Sequence, residues 1–233
     1  MKLHSLLAVA AVAVIGIQTM ADTVFSQPGG FGAGQQTAGQ ASNVLGTYGQ
    51  GEQVFADNFV LSSATSINSV SFWGWSDDAT GFLAGGNRSD TENITGFVIE
   101  FFSLDMYRRP EVSLALQSID LSAFTIEQDG TSWKYSVGLI APIELAGGTE
   151  YGFSVSANLA SLESTYSFLW EHAAVASDIT SFTFGYGWYN LDHPTRGNMA
   201  FELYSTVIPL PPAVWLGGLG VLCIAVGRRR HAR

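Results

Sequence analysis

Apolar and polar residues alternate one by one along the short segments of this chain, and helical spacing is nearly absent. Tyr151, Phe153 and Val155 stand against Gly152, Ser154 and Ser156, and Phe182, Phe184, Tyr186 and Trp188 stand against Thr183, Gly185 and Gly187. Successive side chains of a strand point to opposite faces, so a period of two buries one face and wets the other. Nine segments rich in β-branched and aromatic residues, set apart by turn formers, are expected to be strands: 53–61, 66–75, 94–104, 124–127, 133–139, 150–157, 166–171, 181–188 and 199–204. Asp129-Gly130 sits where a hairpin turn belongs, because glycine reaches positive φ without a Cβ clash, and Gly147-Gly148 repeats the device before Tyr151. Segment 113–121 fits a short helical turn or a connection, and the pattern does not choose between them. Segment 25–51, rich in Gly, Gln, Ala and Ser, is expected to be a loop-like lead-in with at most one strand. The expected fold class is all-β: an antiparallel, jelly-roll-like β-sandwich with Phe97, Ile99, Phe101, Tyr151, Phe153, Phe182, Phe184 and Phe201 between its sheets.

The two ends of the chain are different in kind. Met1-Lys2-Leu3-His4 is a short basic start, 6–17 is an apolar stretch of 12 residues, and Thr19-Met20-Ala21 carries small residues where a signal peptidase cuts. A signal peptide over 1–21 is expected. At the other end, 209–226 is an uncharged run of 18 residues that spans roughly 27 Å as a helix, close to the hydrocarbon thickness of a bilayer. Arg228, Arg229, Arg230 and Arg233 follow it, and such flanks stay on the cytoplasmic side, which places the body outside. The expected organisation is therefore a signal peptide over 1–21, one β-sandwich domain over 22–206, and a C-terminal segment with a single transmembrane helix over 207–233.

Ile208-Pro209-Leu210-Pro211, the apolar run and the arginine cluster, in that order, resemble the PEP-CTERM class of C-terminal sorting signals of Gram-negative bacteria, in its variant with a Val-Pro-Leu-Pro-Ala core (VPLPA-CTERM). Pro212 stands ahead of Ala213, where this variant has alanine directly after the second proline. The resemblance implies a membrane processing enzyme of the exosortase type as partner, cleavage near Ile208, Pro209, Leu210 and Pro211, topology set by Arg228, Arg229 and Arg230, and association with exopolysaccharide. Three further stretches, Ala-Asp-Asn-Phe-Val-Leu at 56–61, Ser-Val-Ser-Phe-Trp-Gly at 69–74 and Ala-Gly-Gly-Thr-Glu-Tyr at 146–151, resemble a module that precedes such tails and has no assigned catalytic group.

All 20 acidic residues lie between Asp22 and Glu202, against five basic ones there (Arg88, Arg108, Arg109, Lys134 and Arg196), so the body carries a net charge of −15. Such a field repels phosphate backbones and excludes nucleic acid as a partner. The single cysteine, Cys223, lies in the apolar run, so the body has neither a disulfide nor a thiol nucleophile.

No G-x-S-x-G elbow occurs, and His172 and His193 are 21 residues apart without an H-E-x-x-H context, which argues against a serine hydrolase and a zinc site. Asp77, Asp78, Asp90 and Glu92 bracket a glycine-rich loop but lack the spacing of a calcium loop. The expectation is no catalytic residue, no metal and no cofactor. Trp73 and Trp75, on one face of a strand running into Asp77 and Asp78, are candidate glycan contacts, since flat aromatic faces beside carboxylates suit sugar rings. The competing reading makes both indoles core residues. Function is expected to be that of a non-enzymatic exported protein of the cell envelope or extracellular matrix, tethered to the membrane and then processed, with a specific carbohydrate-binding module as one alternative and a secreted glycoside hydrolase as another.

Overall fold

The computed structural model describes residues 21–29, 39–41, 53–78, 88–161, 166–173, 180–184, 188–191 and 198–206. These fall within one unit, Ala21–Thr206. The expected signal peptide up to Met20 and the tail with Ile208, Pro209, Leu210, Pro211, Arg228, Arg229 and Arg230 lie outside the described residues. Among the described residues no helix is long and apolar enough to cross a membrane.

In chain order the strands are β1 (Ala21–Gln27), β2 (Gly39–Ala41), β3 (Gln53–Val60), β4 (Thr65–Asp78), β5 (Arg88–Ser89), β6 (Ile94–Leu104) and β7 (Pro110–Asp120). After a single 3-10 turn, Leu121–Ala123, come β8 (Thr125–Asp129), β9 (Ser132–Leu145), β10 (Glu150–Leu159), β11 (Tyr166–Glu171), β12 (Thr180–Phe184), β13 (Trp188–Leu191) and β14 (Phe201–Thr206). They form two sheets, and every pairing is antiparallel. In the first, β4 is the axis: β9 lies along one side and β14 along the other, and its last residues pair with β5 and β11 instead. β1 flanks β14, β2 flanks β11 and β8 flanks β9. The second sheet runs β13-β12-β3-β10-β6-β7.

The sheets face each other across one core, in a sandwich-like arrangement. Val70 and Phe72 of β4, Tyr135 and Val137 of β9, Phe168 and Trp170 of β11, and Phe201 and Leu203 of β14 meet Phe97, Ile99 and Phe101 of β6 and Tyr151, Phe153 and Val155 of β10. Phe72 stacks on Tyr135 at 5.3 Å and meets Phe97 edge-on at 4.9 Å, while Phe153 lies 4.6 Å from Phe201. Fully burying each such ring is worth about 1.5–3 kcal/mol, and the aromatic alternation therefore holds the sheets together. Six of the eight residues expected in this core are buried there; Phe182 and Phe184 sit on β12, and their side chains are outside the described residues.

Four expectations need correction. Segment 113–121 is not a helical turn or a connection over its length: 113–120 is most of β7, an edge strand opposite β6, and only Leu121 belongs to the 3-10 turn. The run 181–188 is not one strand: Thr183 stands opposite Trp188 and Phe182 opposite Tyr189, so β12 and β13 are two antiparallel strands paired with each other. Gly148 has the expected positive φ of 72°, yet β9 and β10 belong to different sheets, and the glycine pair turns the chain between layers instead of closing a hairpin. The lead-in holds β2 and the end of β1, two strands where at most one was expected.

Register also defines the ends of the unit. Val60 is opposite Glu150, Tyr151 is opposite Ser103, and Thr65 is opposite Leu145, so turns 61–64, 105–109 and 146–149 share one end. β14 runs antiparallel to β4, with Phe201 opposite Phe72 and Tyr204 opposite Ser69, and Thr206 therefore emerges at that same end beside its partner Ala21.

Candidate functional site

On β4, Val70 and Phe72 face the core, which turns Ser69, Ser71, Trp73 and Trp75 to the outer face of the first sheet. The indoles expected to stack on sugar are nevertheless covered: Trp73 is 3 % and Trp75 2 % exposed. Trp73 donates from Nε1 to Asp129 Oδ2 at 2.7 Å, Lys134 Nζ stands 4.6 Å above its ring, and Gly29 lies so close that a Cβ there would sit 2.7 Å from Trp73 Cγ. Trp75 packs against Leu169 and Trp133. Neither ring offers a face to a ligand, which corrects the stacking expectation. Asp77 is opposite Ser167 and Arg88, and Asp78 is opposite Tyr166, at the far end of β4; their side chains are outside the described residues.

What this outer face does offer is a polar row across five strands. Thr125 of β8, Ser136 of β9, Ser71 of β4, Glu202 of β14 and Ser26 of β1 stand opposite one another in turn. Ser71 and Ser136 share a hydrogen bond at 2.8 Å, and Ser26 Oγ donates to Glu202 Oε1 at 2.9 Å. Beside the row lies a groove of about 380 Å³ lined by Ser69, Ser71, Thr125, Ser136, Gly138 and Tyr204 among others. Serine, threonine and glycine outward on a sheet leave the surface low and rich in hydroxyls.

One ionic network borders the groove. Lys134 Nζ donates to Glu202 Oε2 at 2.9 Å and lies 3.3 Å from Tyr204 Oη, and the Tyr204 hydroxyl also donates to Glu202 Oε2. Burial pushes the Glu202 carboxyl up, but hydrogen bonds from Tyr204, Lys134 and Ser26 outweigh it and hold the group below its ordinary value. Burial likewise pushes Lys134 down, and the bond to Glu202 with its charge reverses the sign, leaving the ammonium above its ordinary value. Both groups stay charged near neutral pH, so Lys134 and Glu202 form an ion pair at the edge of the groove.

The structure also contains a polar clasp that the sequence did not reveal. Asp57, 2 % exposed, faces the core between Phe55 and Phe59 on β3. Its Oδ2 accepts from Gln27 Nε2 at 2.6 Å and from the Met199 N–H at 2.7 Å, and its Oδ1 accepts from Asn58 N–H at 2.8 Å. Gln27 in turn donates to the Met199 carbonyl at 2.8 Å and accepts from Asn198 Nδ2 at 3.0 Å. The carboxylate thus ties the second sheet to β1 and to the residues leading into β14. The Phe55, Asp57, Phe59 spacing was the available signal; its partners, far away in the chain, were not.

Glu171 and His172 are both buried, and His172 forms an isolated bridge with Met199. His193 lies outside the described residues. Of the acidic loop, Asp90 accepts from the Tyr135 hydroxyl through its carbonyl, and the Glu92 carbonyl accepts from Ser76 Oγ at 2.6 Å. Among the described residues no group of three or more His, Cys, Asp or Glu could hold a metal ion. Comparison of the chain with protein-family models and with curated proteins gave no match.

Proposed function

We propose that this is a non-enzymatic exported protein of the cell envelope or extracellular matrix, with a jelly-roll-like sandwich held outside the inner membrane by residues 209–226 and then released by an exosortase-type enzyme near Ile208, Pro209, Leu210 and Pro211. The observation that carries the reading is the order of proline motif, uncharged run and arginine cluster at 208–233, together with the signal-like segment at 1–21. The run contains Gly217, Gly218 and Gly220 and is marginal in length, which suits a temporary stop. The prolines at 209, 211 and 212 keep the approach extended and remove backbone donors, leaving a peptide bond open to a membrane protease. The pairing of Ala21 with Thr206 is compatible with trimming at both ends, since a cut after Ala21 removes only the first residue of β1 and a cut near 208–211 falls beyond Thr206, the last residue of β14. Jelly-roll-like form is supported by repeated crossings of the chain between the sheets, among them β3 to β4 and β9 to β10.

Deleting 208–233 tests the proposal: the full chain is expected in the membrane and envelope fractions and the deleted chain in the soluble exported fraction. An unchanged distribution refutes it.

Association with polysaccharide is part of the proposal, and the surface that favours it is the hydroxyl row with its groove, where Ser, Thr and Tyr hydroxyls can exchange hydrogen bonds with a polyhydroxylated chain. This also favours the second reading, a specific glycan-binding module, with Thr125, Ser136 and Tyr204 replacing Trp73 and Trp75 as contacts.

A further inference from the structure

Exposed apolar side chains are not scattered over this unit. Of the eight large hydrophobic residues exposed among the described ones, Val60, Met106, Tyr107 and Val112 stand at the end where Thr206 and Ala21 emerge, and Leu114, Leu116 and Ile140 continue up the side along β7 and β9. Only Tyr189 lies elsewhere. Met106 is 87 % exposed and Tyr107 59 %, both at the tip of the β6–β7 turn. That tip is built to project them. Asp105 Oδ1 accepts from the N–H groups of Tyr107 at 2.8 Å and Arg109 at 2.9 Å, Arg108 adopts a φ of 63°, and the Arg109 guanidinium lies 4.9 Å from the Tyr107 ring centre.

We propose that this end of the sandwich is a lipid-contacting face, with Met106 and Tyr107 seated at the boundary of headgroups and acyl chains while the protein is tethered. The proposal rests on the reading of 209–226 as the tether. Thr206 is separated from Pro209 by two residues, Val207 and Ile208, which reach roughly 7 Å when extended. The end from which the chain leaves is therefore close to the bilayer surface. A flexible thioether side chain and an amphipathic phenol are the types that partition to this boundary. Charge is accommodated as well. In a body of net charge −15, the carboxylates of this tip each carry an arginine: Arg109 Nη2 meets Asp105 Oδ2 at 2.7 Å, and Arg108 pairs with Glu150 through Nε at 3.0 Å. Glu111 and Glu144 stay exposed at its margin.

The test uses the full chain with Cys223→Ser, carrying one environment-sensitive fluorophore on a cysteine at Met106→Cys or at Ser122→Cys. Ser122 is exposed on the 3-10 turn after Asp120, which pairs with Gly96 at the opposite end. Both variants are reconstituted into vesicles of phosphatidylethanolamine and phosphatidylglycerol. Because Met106 is almost fully exposed, the label there leaves the core untouched. Expected are co-flotation of both variants, with a blue shift and quenching by nitroxide-labelled lipid at position 106 and neither at 122. Co-flotation with equal quenching at the two positions overturns the lipid face and leaves the tether standing. Failure to co-float overturns both. Crosslinking between copies at 106 with no lipid quenching assigns the patch to a second copy and overturns the proposal.

Discussion

Replacing Asp57 by alanine probes the clasp between the sheets. The substitution removes two hydrogen bonds that cross from β3 to the other sheet, those from Gln27 at 2.6 Å and from the Met199 N–H at 2.7 Å. Met199 is fully buried, so its backbone donor gains no water when the carboxylate is lost. A buried polar group left without its partner costs about 1–3 kcal/mol. The Gln27 amide keeps its bond to the Met199 carbonyl, so its share is smaller, and relief of the buried carboxylate offsets part of the loss. The net destabilisation expected for Asp57→Ala is about 3 kcal/mol, which lowers Tm by roughly 6–12 °C in a domain of this size. Asp57→Asn keeps one oxygen acceptor and should lose about half as much. Urea unfolding followed by tryptophan fluorescence, with Trp170 in the core as a reporter, measures both. A midpoint for Asp57→Ala corresponding to less than about 0.5 kcal/mol, the range of ordinary surface substitutions, refutes the reasoning that this carboxylate holds the layers together.

Glu202→Gln should cost about 1 kcal/mol at neutral pH, because the amide keeps one oxygen acceptor but gives up the charge paired with Lys134 and one of the two oxygens that accept from Lys134 and Ser26. Since the Glu202 pKa is lowered in the fold, its contribution is present above the ordinary value of 4.5 and fades as pH falls through the lowered value; since that of Lys134 is raised, its contribution is present below 10.5 and fades as pH climbs through the raised value. The stability gap between parent and variant should thus be flat between these limits and close in acid, as urea midpoints across pH would record. Gly74→Ala should cost about 1–3 kcal/mol, because its Cβ would stand 2.5 Å from the Leu169 carbonyl oxygen and the Phe168 ring. An unchanged melting curve would contradict the register of β4 on β11.

Strands buried on one face were legible because alternation reports burial. β6 and β11 begin and end where the pattern does, and Phe97, Phe153 and Phe201 lie in the core as their spacing implies. β7 was not legible, since Val112, Leu114 and Leu116 put apolar groups on its solvent side and blur the period of an edge strand. The β12–β13 pairing was missed for a related reason: Gly185 and Gly187 continue the alternation and are also turn formers, so one pattern serves both structures. Trp73 was placed on the correct strand and on one side of it, but periodicity says nothing of chain laid over an outer face, and there Gly29 and Lys134 cover the ring. The hydroxyl row was invisible because it is made across strands, from residues distant in the chain whose alignment only register supplies.

The central claim, that the chain is exported, held briefly and cut at both ends, is tested most directly by intact-mass spectrometry of the mature protein recovered from the envelope or medium. The account predicts a species that starts at Asp22 and ends near Ile208 to Pro211, without the apolar run or the arginine cluster. An exported form that retains Arg233 contradicts it.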